Sequence, residues 1–104
     1  MSNKKGIFEL IEAVFDSDLD KKEKLILLAF LSFANQDGTN MHPGQSRIAW
    51  MCDYYSKHEI KDTIHNLEKD FILQPGLKRS GRGTKIYSFH EKRLPGRKPY
   101  KGVG

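Results

Sequence analysis

The chain has 104 residues, of which 38% are hydrophobic and 11% aromatic, which suits one domain with a modest core and excludes global disorder. No run approaches the roughly 18 apolar residues needed to span a bilayer, the charged N-terminal stretch does not resemble a secretory leader, and the single Cys52 excludes an internal disulfide framework. The net charge of +5 is unevenly placed: residues 78–104 hold nine Lys/Arg against one acid, whereas residues 1–77 hold nine against twelve. Basic charge gathered at one end is what contact with a polyanion requires.

Ile7, Leu10, Ile11, Val14 and Phe15 recur at helical spacing and predict an amphipathic helix. Asp16-Ser17-Asp18 interrupts it, and a second helix is expected from Asp18 or Asp20, either of which can cap it, to about Asn35. Its centre, Leu25 to Leu31, is apolar almost all round, the mark of a helix buried on several sides. Asn35-Gln36-Asp37-Gly38 reads as a turn, and Thr39 to His42 as a short strand.

After Pro43-Gly44, a short helix is expected from Gln45 to Met51, with Ile48, Ala49 and either Met51 or Trp50 turned inward. Residues 52–55 form a turn. Ser56 and Glu59 are spaced as a capping box opening a further helix, whose buried stripe is expected to be Ile60, Ile64, Leu67 and Phe71. Phe71-Ile72-Leu73 and Lys85 to Phe89 are β-like runs around a Gly-rich basic tip, Lys78-Arg79-Ser80-Gly81-Arg82-Gly83. Residues 91–104, with two prolines, three glycines and five Lys/Arg, read as a basic tail or linker.

From Leu25 to Phe89 this order resembles the winged helix-turn-helix of phage and plasmid replication initiators and related regulators. The matching residues are Leu27 to Gly38, then Pro43, Gln45, Ile48-Ala49, Ser56, Ile60, Ile64 and Leu67-Glu68-Lys69. Gly44 stands where the family carries a serine, and Asp70-Phe71 where it carries a glycine. The implied fold is mainly α with a small β-hairpin (α+β), preceded by an extra N-terminal helix. The expected organisation is an N-terminal helix at 1–17 for packing or dimerisation, a DNA-binding domain at 18–90, and the tail at 91–104.

In such a fold the start of the second helix of the pair meets base edges in the major groove. Lys57, His58 and Lys61 are therefore expected base contacts, with Asp62 able to accept from a cytosine amino group and His65 on the same outer face. Ser56 and Tyr54 or Tyr55 are expected phosphate donors. At the hairpin, Lys78, Arg79, Arg82 and Lys85 flank glycines that let the backbone approach a phosphate or enter the minor groove. Pro95-Gly96-Arg97-Lys98-Pro99 resembles an AT-hook core, so Arg97 and Lys98 join the DNA-binding set; a plain basic linker is the alternative.

No enzyme is expected. The sequence has no phosphate loop and no nucleophile elbow. His42, His58, His65, His90 and Cys52 lack the spacing that would place ligands on one metal, so neither a metal nor a cofactor is expected. The expected function is sequence-specific binding of double-stranded DNA, as the origin-binding domain of a phage, plasmid or satellite initiator in the bacterial cytoplasm or nucleoid. A transcriptional regulator of a mobile element and a winged-helix protein-interaction module stay open beside it. Expected partners are duplex DNA, a second copy through the N-terminal helix, and other replication proteins, with no membrane.

Overall fold

A computed structural model describes residues 6–53, 56–79, 81 and 83–96. It contains α1 (Ile7–Asp16), α2 (Lys21–Leu31), α3 (Gln45–Cys52), α4 (Lys57–Lys69), β1 (Leu73–Arg79), β2 (Lys85–Phe89) and a 3-10 turn at Glu91–Arg93. The described residues thus form an α+β fold of four helices and a two-stranded antiparallel hairpin. None of the described helices is long and apolar enough to cross a membrane.

The spine is α2, with Ile26, Leu27, Phe30 and Leu31 fully buried. Asp20, not Asp18, starts it: the Glu23 amide donates to Asp20 Oδ1 at 2.8 Å and the Asp20 amide donates to Glu23 Oε1 at 3.3 Å. The helix ends at Leu31, four residues before the expected Asn35. Its exit tightens into i→i+3 bonds, Phe33 to Phe30 at 3.0 Å and Ala34 to Leu31 at 3.1 Å, and the Ser32 hydroxyl bonds back to the Ala29 carbonyl. Gly38 then turns the chain at φ +81°, with Leu10 and Phe89 packed against its Cα; an added Cβ would lie 3.0 Å from Leu10.

The helix α1 buries Leu10 and Val14 in the chain's own core, with Ile7 and Ile11 packed alongside. Phe15, expected on that buried stripe, is half exposed, and Phe8 is largely exposed. The expected strand at Thr39 to His42 is reduced to one bridge, in which Met41 and Tyr87 exchange both backbone hydrogen bonds. That bridge ties the hairpin to the loop before α3.

In the α3–α4 pair, Ile48 and Cys52 are buried and Trp50 is turned outward, so Met51 is the partly buried alternative. Asp53 makes the turn with φ +72°. The Ser56–Glu59 capping box forms as expected, both bonds at 3.2 Å, and Ile60, Ile64 and Leu67 are buried. Phe71 corrects the stripe. The helix stops at Lys69, Phe71 adopts the left-handed φ of +62°, and its ring is 57% exposed beneath the Arg93 guanidinium at 5.6 Å. This is the conformation that favours glycine. Thr63, not counted in the stripe, is buried beside it.

The hairpin pairs Leu73 with Phe89 and Pro75 with Tyr87, then slips register so that Arg79 meets Lys85. Pro75, which has no amide to donate, sits where the ladder breaks. Residues 91–96, expected as the start of a free tail, return to the body. Leu94 packs on the core, the Asp18 amide donates to the Pro95 carbonyl at 2.9 Å, and Gly96 pairs with Ser17. This contact is between residues about 80 apart and no local sequence pattern announces it.

Candidate nucleic-acid interface

Along α4, Lys57, Lys61, His65 and Glu68 follow one another at intervals of four, four and three residues, which places them on one face of the helix. That face forms one wall of a groove of about 590 Å3. Arg79 and Lys85 come from the hairpin, and Pro43 to Ser46, at the start of α3, also line it. The floor is apolar, made by Phe30, Ile64 and Tyr87. Gly44 caps α3 without a side-chain hydrogen bond, so the amides that open this helix are not covered by a side-chain oxygen of their own cap.

Glu68 joins the two walls. Its carboxylate accepts a short hydrogen bond from the Tyr87 hydroxyl and lies 3.6 Å from the Lys85 ammonium. Burial, and then the Glu68 hydrogen bond and charge, push the Tyr87 phenol well above its ordinary 10.0. The folded chain therefore holds a proton that the unfolded chain releases above pH 10, and stability from this contact is present below that pH and falls as pH rises beyond it. Thermal midpoints measured across the alkaline range should show this decline, and Tyr87→Phe should make it shallower. An alkaline limb unchanged in the variant would remove Tyr87 as its source.

The expected contact residues divide. Lys57, Lys61, Asp62, His65, Arg79 and Lys85 all line the groove. His58 does not; it lies 3.4 Å from Asp62 one turn along, both largely exposed. The Ser56 hydroxyl is engaged as the cap of α4. Arg79 Nη1 donates to the Gly83 carbonyl at 3.1 Å and so also braces the hairpin turn. Lys78 is exposed on β1, away from the groove lining. Tyr54, Tyr55, Arg82, Arg97 and Lys98 lie outside the described residues.

Comparison with models of known families, with curated proteins and with solved structures gave no match.

The far flank of α4 has the opposite character. Asp20, Glu23, Glu59, Asp62 and Asp70 gather there with Lys22 and Lys69, and Lys22 is held by Glu59 at 3.2 Å. The Ser56 backbone amide, and then Lys22, hold the Glu59 carboxyl below the usual range. Cations thus dominate the hairpin side of α4 and carboxylates the α2 side. Among the described residues, no group of three or more His, Cys, Asp or Glu side chains could hold a metal ion. Burial pushes the Cys52 thiol up, which makes it a packing residue and a poor nucleophile.

Sequence reading missed Glu68 and Tyr87. The alternation of Lys85, Tyr87 and Phe89 on one face of β2 was the available signal, since an inward tyrosine needs a partner for its hydroxyl. It does not say which of the thirteen acids would provide it.

Proposed function

We propose that this chain is a winged helix-turn-helix module that binds double-stranded DNA in a sequence-specific manner through the groove between α4 and the hairpin. The observation that carries this reading is the convergence of Lys57, Lys61, Arg79 and Lys85, from two separate elements, on one groove. A sugar-phosphate strand fits that arrangement: cations on both walls neutralise phosphates, while the N-terminal half of α4 reaches base edges in the major groove. The acidic flank on the α2 side disfavours the opposite approach.

Within this reading the chain serves as the origin-binding domain of a phage, plasmid or satellite replication initiator, a role that rests on the resemblance of residues 25–89 to that family. Two measurements test it. Affinity for random duplex should fall steeply with salt; little affinity at any salt would favour a protein-interaction module. Selection of bound genomic fragments should recover sites clustered at an origin, whereas sites over promoters would make the chain a transcriptional regulator.

A further inference from the structure

We propose that a second cleft, on the α3 side of the hairpin, binds an unpaired DNA strand by stacking a base on Trp50. The cleft, about 650 Å3, lies between the end of α2, the start of α3 and the hairpin turn. Its walls include Phe33, His42 and Arg47, and no carboxylate is among the described residues that line it. Pro43, Gly44 and Thr84 border both this cleft and the α4 groove, so the two run side by side.

Arg47 extends from the cleft to the only tryptophan in the chain, its guanidinium 5.4 Å from the centre of the Trp50 ring. The indole, reached through Arg47, is 72% exposed, and Phe33, in the cleft lining, is 37% exposed. Burying a tryptophan is favourable, so an indole left this open on an eight-residue helix, whose Ile48 and Cys52 do the packing, is not there for the core. Charge selects the occupant. An exposed aromatic ring with an arginine against it, next to a cleft whose described lining holds no carboxylate, suits a base stacked on the ring and its phosphate on the guanidinium. In a duplex the base faces are covered by their neighbours, so only an unpaired strand offers this contact. The proposal goes beyond duplex binding and does not depend on it.

The test is titration with a short oligo-thymidine of roughly a dozen nucleotides. Binding should quench Trp50 fluorescence. Measured by anisotropy of an end-labelled oligonucleotide, Trp50→Ala should weaken binding roughly five- to hundredfold, the range for loss of one base stack, while Trp50→Phe should keep most of it. Lys61→Ala with Lys85→Ala, in the α4 groove, should leave oligonucleotide affinity unchanged, and Trp50→Ala should leave duplex affinity unchanged. Failure of duplex binding would therefore be seen separately. Absence of quenching, equal affinity for Trp50→Ala and the parent chain, or a loss on changing Lys61 and Lys85 equal to that at Trp50 would each overturn the proposal.

Discussion

Replacing Phe30 by alanine is expected to destabilise the fold by about 3–5 kcal/mol. Phe30 is fully buried on α2, and Tyr87 packs on it edge to face, with ring centroids 5.5 Å apart and planes at 88°. The truncation removes apolar burial, leaves a void, and deprives Tyr87 of its aromatic neighbour. Tyr87 also carries the Met41 bridge and the Glu68 hydrogen bond, so the void lies where helices and hairpin meet. Against a total stability of about 5–15 kcal/mol for a domain, that loss leaves little margin. Chemical denaturation followed by circular dichroism gives the number; a cost below about 1 kcal/mol would mean that this site collapses without strain.

Substitutions in the groove should separate by the wall they stand on. Arg79→Ala with Lys85→Ala, on the hairpin, should weaken cognate and random duplex alike and flatten the logarithmic salt dependence by roughly one to two units. Lys61→Ala, on α4, should instead cost about 1–3 kcal/mol of discrimination between cognate and random sites. Fluorescence anisotropy at several salt concentrations distinguishes the two. An unchanged slope in the hairpin variant would place the phosphate path elsewhere, and equal losses on both DNAs would make Lys61 a backbone contact.

What was legible in the sequence was governed by short range. The Ser56–Glu59 capping box, the Ile60/Ile64/Leu67 stripe and the hairpin strands each depend on residues within about one or two turns of each other. The capping box, the stripe and the second strand, Lys85–Phe89, appear in the structure, whereas the first strand, expected at Phe71-Ile72-Leu73, runs instead over Leu73–Arg79 and takes in Lys78 and Arg79 of the expected tip. Phe71 shows the limit of periodicity, because its position matched the stripe while the backbone had already reversed into the left-handed region. The return of residues 91–96 to Ser17 and Asp18, and the junction of Glu68 with Lys85 and Tyr87, are contacts between distant segments. Of the candidate site, the cationic residues were legible as composition, but their grouping was not. The fold brings Lys57, Lys61, His65, Arg79 and Lys85 together and leaves His58 and Lys78 outside the groove.

The hairpin is built as a cantilever. At its root, Tyr87 is pinned by the paired backbone of Met41 and by Glu68, and Leu73 and Phe89 are buried. Beyond the irregularity after Pro75, every residue of β1 to Arg79 is exposed. Packing against the core therefore ends partway along β1. Under the proposed DNA binding, that unpacked length would be the part that meets a groove, and the cost of fitting it would depend on the base sequence that sets the groove's width. Selectivity of this kind would come from the reach of the arm, and substitutions at Pro75 or Gly76 would retune it with every cation left in place.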